Sequence, residues 1–186
     1  KYLNGHSDVV AGAVISNPGE VSERIRFIPK AGGAVPSPVD CYLVARGIKT
    51  LPLRIARHCE NALELASWLR GHPRVSAVYY PGLEDHPQYS LAARQMAAFG
   101  GMLSFEVDGG MDGARALLER VALFSLAESL GGVESLIGQP ALMSHASMPE
   151  AMRRARGIAD GLVRVSVGLE DIEDLRHDLD QALNSA

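Results

Sequence analysis

Lys1 is the side chain of this sequence best suited to covalent chemistry. A turn dipeptide, Asn4-Gly5, follows it closely, and residues 9–15 form an almost unbroken apolar run. Such a run predicts a strand covered on both faces. At the edge of that strand the lysine amine would be partly desolvated, which favours the neutral, nucleophilic form that Schiff-base chemistry requires. The alternative is an ordinary exposed lysine, as is usual at a chain end.

Arg164 is the second candidate. In the segment Leu162–Val167, polar and apolar residues alternate, so that Arg164 and Ser166 share one face of a predicted strand and three valines share the other. Periodicity alone favours a solvent-facing arginine on a half-buried strand.

Three further polar residues are candidates for binding. Ser129 is typical of a turn or a helix cap, and Glu128 of a solvated acid near the end of an element. The following Gly131-Gly132 indicates a place where the backbone comes close to another group. Ser144 offers one more hydroxyl.

Four motifs carry a family resemblance. The opening KYLNGHSDVVAG resembles the segment around the cofactor lysine in the pyridoxal-phosphate (PLP) enzymes of cysteine and methionine metabolism, the family of cystathionine γ-lyase and cystathionine γ-synthase. The resemblance continues through residues 34–43, 46–51 and 126–136 and on to the C-terminus. It therefore covers essentially the whole chain.

The resemblance implies a role for each candidate residue. Lys1 would be the catalytic lysine that binds PLP and then moves protons. Arg164 would bind the α-carboxylate of the substrate, and Ser129 would lie beside both the cofactor lysine and that carboxylate. Glu128 would face the distal amino group of cystathionine. Ser144 stands where many relatives have threonine, so its hydroxyl would keep the same hydrogen bond to the substrate.

The resemblance also implies a fold and a missing half. Members of the family are roughly twice as long, so the chain resembles the C-terminal half of such an enzyme. The implied fold is α/β, PLP-dependent transferase-like (fold type I). Residues 1–50 would be a remnant of the large PLP-binding domain, and residues 51–186 the smaller C-terminal domain, introduced by a long helix. The N-terminal half would carry the ring stacked on PLP, the aspartate that pairs with the pyridine nitrogen and most phosphate-binding groups.

The implied reaction is the α,γ-elimination of L-cystathionine to cysteine, 2-oxobutanoate and ammonia, a transsulfuration step of amino-acid biosynthesis. Residues 33–42 and 166–171 resemble the γ-lyase branch more closely. The first alternative is cystathionine γ-synthase, which replaces the acyl group of an O-acyl-homoserine by cysteine. The second alternative is an inactive structural fragment that lacks the N-terminal half of the site. Relatives also imply a homotetramer, built as a dimer of dimers.

Composition excludes several other classes of protein. Apolar residues make up 47% of the chain and charged residues 22%, as in ordinary soluble globular proteins. The net charge of −4 argues against a nucleic-acid or anionic-membrane surface. No apolar run reaches the roughly 18 to 20 residues of a membrane span, and no signal peptide is visible, which predicts a cytoplasmic protein. Cys41 and Cys59 lack zinc-like spacing, so no metal site is predicted.

The remaining pattern predicts helices packed on a small sheet. A long helix is expected over residues 51–69, with Leu63, Ala66 and Leu69 among its apolar positions. Strands and helices alternate after it. The expected strands are 75–80, 101–107, 123–126 and 162–167, and the expected helices are 91–98, 112–121, 149–157 and 171–184.

Overall fold

The computed structural model of the chain describes residues 1–184. Residues 185 and 186, which the predicted second domain includes, lie outside the described residues. None of the helices described is both long and apolar enough to span a membrane. The helices are α1 (Glu20–Gly32), α2 (Pro38–Ile48), α3 (Leu51–Arg70), α4 (Tyr89–Gln95), α5 (Gly110–Arg120), α6 (Glu150–Ala155) and α7 (Ile172–Asn184). The strands are β1 (Val75–Tyr79), β2 (Met102–Val107), β3 (Ser125–Leu126), β4 (Leu136–Gly138) and β5 (Leu162–Ser166).

The five strands form one sheet in the order β1-β2-β5-β4-β3. All neighbours are antiparallel except β3 and β4, which are parallel. In the register of β2 on β5, Leu103 lies opposite Val165 and Phe105 opposite Val163. These four side chains lie on one face of the sheet, because alternate residues of a strand point to the same side, and all four are buried. That face carries the core, and Arg164 lies on the other.

Helices α3, α5 and α7 cover the core face of the sheet. α3 packs on β1 and β2, α5 packs on β2 and β5, and both contact α7. From α3 the core receives Leu65 and Leu69, which are fully buried, whereas Leu63, another apolar position of this helix, is 41% exposed. The buried stripe of α3 begins with polar residues, Arg54 and His58, and a stripe chosen by apolar residues alone misses it.

The spacing of Ile172, Leu175, Leu179 and Leu183 predicts an apolar stripe on the last helix, and the structure confirms it. Leu175, Leu179 and Leu183 are buried at 1% exposure or less. Asp178, on the same helix, is also buried, and its carboxylate accepts hydrogen bonds from the backbone N–H groups of residues 122–124 at 2.8 to 3.0 Å. Three N–H donors compensate the burial of the carboxylate. The contact fixes the segment that runs through β3 into residues 127–132.

The prediction of a strand at residues 9–15 was wrong. This segment forms no strand, and Val10, Val14 and Ile15 are 101%, 72% and 97% exposed. A strand requires a neighbour with which to exchange backbone hydrogen bonds. The edges of the sheet are β1 and β3, and neither pairs with residues 9–15. An apolar run indicates where a strand can form, but the partner decides whether it does.

Candidate active site

Lys1 opens a tight turn whose own side chains stabilise it. The N–H of Gly5 donates to the carbonyl oxygen of Lys1 at 2.9 Å, and Gly5 adopts a left-handed φ of 78°. His6 Nδ1 lies 2.7 Å from the carbonyl oxygen of Asn4, and the side-chain amide of Asn4 donates to Asp8 at 2.6 Å. The polar residues after the lysine therefore fix the backbone from which its side chain extends.

A second turn, at residues 130–132, packs against this one. The N–H of Val133 donates to the carbonyl oxygen of Gly5 at 3.0 Å, and the N–H of Gly131 donates to Ser166 Oγ at 2.8 Å. A Cβ atom on Gly131 would lie only 3.2 Å from Lys1 Cβ, and its φ is 76°. Glycine is needed here because two backbones meet closely. The end of β5 thus positions the second turn, and the second turn positions Lys1.

Lys1 and Ser129 line the same cavity, whose volume is about 490 Å³. Residues 9–13 border it together with Leu130, Gly131 and Gly132. The chain has three lysines, and Lys1 is the only one that lines this cavity. Lys1 itself is exposed, so the expected desolvation of its amine is not provided within residues 1–184. The Ser129 hydroxyl forms no hydrogen bond with another residue in that range.

Three of the four predicted substrate-binding residues come together in an adjacent cleft. Arg164, Glu128 and Ser144 all line this cleft, which is too narrow within residues 1–184 to hold a water molecule. Arg164 Nη2 donates to the backbone carbonyl of Glu128 at 2.8 Å, and Ser144 Oγ lies 2.8 Å from His145 Nδ1. Because Glu128 and Ser129 are consecutive, the cleft and the Lys1 cavity adjoin. The structure therefore brings all five predicted site residues into one region of the chain.

Arg164 is held at the centre of the sheet. On β5 it pairs with Ser104 of β2 and Gly138 of β4. A Cβ atom on Gly138 would lie 3.2 Å from the carbonyl oxygen of Ala127 and from Met143 Sδ, so glycine lets both flanking segments approach Arg164. Within residues 1–184 its guanidinium forms one hydrogen bond, to Glu128, which leaves other N–H donors for a ligand.

Glu170 fastens the loop after the second turn. Its carboxylate accepts from the Ser135 N–H at 2.6 Å and from Ser135 Oγ at 2.8 Å. Ser135 Oγ in turn accepts from the Gly168 N–H at 2.8 Å. Charge-assisted bonds of this kind are about twice as strong as neutral ones. The loop between β3 and β4 is thereby tied to the residues that follow β5.

The sequence profile of one family, described as Cys/Met metabolism PLP-dependent enzyme, matches residues 1–184. The chain belongs to this family. It is 54% identical to a cystathionine beta-lyase of Coxiella burnetii over 98% of the chain, and 53% identical to a cystathionine gamma-lyase of Mus musculus over 100% of it. The chain covers 48% and 47% of these relatives, so it spans about half of their length.

A solved structure confirms the predicted fold. A cystathionine gamma synthase from Xanthomonas oryzae pv. oryzae, in complex with aminoacrylate and cysteine, matches with a TM-score of 0.94 and 49% identity. The match covers 100% of this chain and 48% of that one. The α/β fold of PLP-dependent transferases (fold type I), predicted from the sequence, is therefore the fold of the chain. The relatives carry out three different reactions, and the γ-lyase predicted from the sequence is one of them.

The residues present fit one end of the cofactor that this family uses. A volume of about 490 Å³ is in the range of small-molecule sites, and Lys1 supplies the amine that an aldehyde cofactor requires. No carboxylate and no arginine are among the lining residues of the cavity within the described part of the chain. Partners for a pyridine nitrogen and for most of a phosphate group are therefore not supplied here. Of the groups that hold PLP in this family, the cavity therefore provides the lysine within the described residues.

Sequence reasoning missed Arg54. This arginine of α3 is only 4% exposed, and Tyr2, Leu3, Gly47 and Thr50 provide its hydrogen-bond acceptors. Burial lowers the pKa of its guanidinium below the ordinary value for arginine. The spacing of Arg54 along the helix could have revealed its burial. Arg54 lies on the same helical stripe as the buried residues His58, Leu65 and Leu69, and a charged residue on such a stripe requires a buried partner.

His58 lies one turn further along α3, beneath the Lys1 turn. Its ring is fully buried, packs edge-on against Tyr2 at a centroid distance of 5.0 Å, and places Nδ1 2.6 Å from the carbonyl oxygen of Val167. Burial holds the pKa of His58 below its ordinary value of 6.5; the Arg54 charge lowers it further, whereas the hydrogen bond to Val167 opposes the shift. The imidazole is therefore neutral in the folded protein near neutral pH.

We expect His58 to make the stability of the full-length protein fall in mild acid. Above pH 6.5 the imidazole is neutral in both the folded and the unfolded state, whereas below it the unfolded state binds the extra proton. The free energy of unfolding should therefore fall by up to about 1.4 kcal/mol per pH unit below that value. Urea midpoints at pH 5.5 and 7.5 would measure the fall. In His58→Gln the fall should be smaller, and an equal fall in both proteins would contradict the assignment.

Proposed function

We propose that the full-length protein containing this chain is a PLP-dependent carbon–sulfur lyase that acts on L-cystathionine by α,γ-elimination. One molecule each of cystathionine and water gives cysteine, 2-oxobutanoate and ammonia. The observation that carries the proposal is the adjacency of the two halves of the site. A lysine-lined cavity and an arginine-lined cleft meet at the consecutive residues Glu128 and Ser129.

Lys1 moves the protons in the proposed reaction. PLP, when bound, supplies an electron sink that stabilises negative charge at the substrate Cα. Lys1 Nζ would remove one proton from Cα and one from Cβ, and would return them to the leaving γ-thiolate and to the four-carbon product. A general base positioned in this way contributes about 10²- to 10⁴-fold to a rate. Ser129, which lines the same cavity, would orient the amine.

Arg164 orients the substrate in the proposed reaction. Its guanidinium binds the α-carboxylate with two N–H groups, and this contact sets the angle at which the bond to the Cα proton is presented. Glu128 and Ser144 line the same cleft, where a carboxylate could pair with the distal amino group of cystathionine and a hydroxyl could bind its carboxylate. These roles follow the family resemblance and are part of the proposal.

The rest of the full-length protein would complete the site. The chain spans about half of the relatives' length, and its cavity lacks acidic and arginine residues among the described lining. We propose that residues 1–50 belong to the large cofactor domain and residues 51–186 to the smaller domain. The N-terminal half would bring the partners for the pyridine ring and the phosphate. A homotetrameric assembly and a cytoplasmic location remain predictions.

Product analysis of the full-length protein tests the proposed reaction. Purified protein supplied with PLP is incubated with L-cystathionine, and the products are identified by mass spectrometry. Cysteine with 2-oxobutanoate supports the proposal. Homocysteine with pyruvate would instead identify β-elimination, and cystathionine formed from an O-acyl-homoserine and cysteine would identify the γ-synthase. Either outcome overturns the γ-lyase assignment, and the absence of all these products overturns the lyase proposal itself.

A second proposal concerns the chain by itself: residues 1–186 alone are an inactive part of the enzyme. Lys1 is exposed, and the adjoining residues Val10, Val14 and Ile15 present apolar surface to water. Absorbance spectra taken with PLP before and after borohydride reduction test this proposal. A reducible band in the full-length protein that the isolated chain lacks supports it, and turnover of cystathionine by the isolated chain would refute it.

A further inference from the structure

Arg54 joins three parts of the chain at the base of the Lys1 turn. Its Nη1 donates to the carbonyl oxygen of Tyr2 at 2.8 Å, and its Nη2 lies 3.4 Å from that of Leu3. Nη2 also donates to the carbonyl oxygen of Gly47 at 2.8 Å, and Nε donates to Thr50 Oγ1 at 3.1 Å. The guanidinium therefore bonds the two residues that follow Lys1 to the end of α2.

Arg54 is a buried cation whose hydrogen-bond partners are backbone carbonyl groups and one hydroxyl. Within residues 1–184 none of its hydrogen-bond or ion-pair partners is a carboxylate, although its side chain is buried. A buried cation requires compensation, and carbonyl oxygens near the C-terminus of a helix supply partial negative charge. Gly47 lies in the last turn of α2. The guanidinium charge is thus balanced by the backbone of the turn that carries Lys1 and by the helix end beside it.

Two glycines show how closely the parts fit. A Cβ atom on Gly5 would overlap the Arg54 guanidinium, and a Cβ atom on Gly47 would overlap the carbonyl oxygen of Asn4. The Lys1 turn therefore lies directly against α2 and Arg54. From the other side, Gly131 lies against Lys1 Cβ. The backbone beneath the lysine is held between these contacts.

We propose that Arg54 is a positioning residue for Lys1: by binding the carbonyl oxygens of Tyr2 and Leu3, it sets where the lysine amine lies in the cavity. The proposal rests on the proposed function, in which that amine reacts. Arg54 does not line the cavity and acts only through the backbone. Displacement of a reacting group by about 1 Å can cost 10²-fold in rate, so loss of this contact should reduce turnover strongly.

The test compares Arg54→Gln and Arg54→Lys with a matched control in the full-length protein. Arg57→Gln is the control, since Arg57 lies on the same helix and its Nη2 approaches a backbone carbonyl, that of Glu170, at 3.4 Å. For Arg54→Gln we expect kcat to fall about 10- to 100-fold with KM changed less than about threefold, because the substrate-binding arginine is untouched. Arg54→Lys keeps a charged donor and should fall less.

A measurement independent of turnover accompanies the kinetics. Amide hydrogen exchange should become faster at Gly5 and Val133 in Arg54→Gln, because their N–H groups hold the Lys1 turn. Borohydride reduction with PLP followed by peptide mapping should show a smaller share of label on Lys1 relative to Lys30 and Lys49. In Arg57→Gln all these quantities should match the wild-type protein.

Different outcomes separate the two proposals. No label on Lys1 in the wild-type protein would overturn the proposed function. Label on Lys1 in the wild type, with unchanged kcat, labelling and exchange in Arg54→Gln, would overturn the positioning role and leave the function standing. If Arg54→Gln does not fold, Thr50→Val removes the acceptor of Arg54 Nε, together with the hydrogen bond that Thr50 Oγ1 donates to the Gly47 carbonyl. That variant should lower kcat about 3- to 10-fold with the same changes in exchange and labelling, and wild-type behaviour would contradict the proposal.

Discussion

Replacing Lys1 by alanine is expected to reduce the turnover of cystathionine by the full-length protein at least about 10³-fold, because the general base and the amine that binds PLP are lost together. Lys1→Arg should lose as much, since arginine keeps a positive charge but provides no neutral amine at neutral pH. Steady-state kinetics measure the loss. Intact mass after borohydride reduction should show that the PLP adduct of the wild-type protein is absent from both variants.

The control for Lys1 is another lysine of the same chain. Lys30 is exposed in the last turn of α1 and does not line the cavity. Lys30→Ala should retain wild-type turnover and the PLP adduct. A Lys1→Ala protein that keeps a tenth or more of wild-type turnover would show that another group moves the α-proton.

The second large effect is expected at Arg164. The residue lies on β5, and among the described residues its guanidinium donates one N–H to the Glu128 carbonyl, which leaves other donors for a carboxylate. A hydrogen bond to a charged group is worth about 1.5 to 3 kcal/mol, so loss of one of two such bonds in Arg164→Lys should lower kcat/KM about 10- to 100-fold. Loss of both in Arg164→Ala should lower it about 10²- to 10⁴-fold.

A thermodynamic cycle tests whether the fall of kcat/KM in Arg164→Lys arises from the interaction with the α-carboxylate. For a substrate analogue that lacks this carboxylate, the wild-type protein and Arg164→Lys should have equal kcat/KM, because the interaction is already absent. Arg115→Lys is the matched control, since Arg115 is exposed on α5 and pairs only with Glu119 among the described residues. An Arg164→Lys protein whose kcat/KM falls as much for the analogue as for cystathionine would contradict carboxylate binding.

Local pattern predicted most elements of the α/β fold correctly. Helix α7 and strand β5 were anticipated within one or two residues, because each carries a complete period of apolar residues on one face. Strand β4 was not anticipated. Its three residues are too few to show a period, and it exists because it pairs with β5 on one side and β3 on the other.

The burial of Arg153 was not predicted. The sequence cluster Arg153, Arg154 and Arg156 favours a solvated helix face, yet the Arg153 side chain is buried and forms an ion pair with Asp160 at 2.6 Å. The interaction with Arg153, together with that of Arg154, lowers the pKa of the Asp160 carboxyl. A charged residue on a short helix shows no period that would reveal such a partner.

The candidate site was likewise only partly predictable from the sequence. The sequence by itself predicted the five candidate site residues, through motifs long enough to indicate the family. It did not indicate the hydrogen-bond acceptors of Arg54 at Tyr2 and Leu3, which are about fifty positions away along the chain. Nor did it indicate that Ser166 would bind the Gly131 turn.

The tertiary structure alone decided which of these residues meet. It placed Lys1 with Ser129 in one cavity and Arg164 with Glu128 in the next, and it left residues 9–15 without a strand partner. The physical reason is common to all three results. Side-chain type and spacing are local properties that a sequence displays directly, whereas hydrogen-bond partners, burial and strand pairing depend on chain segments that only folding brings together.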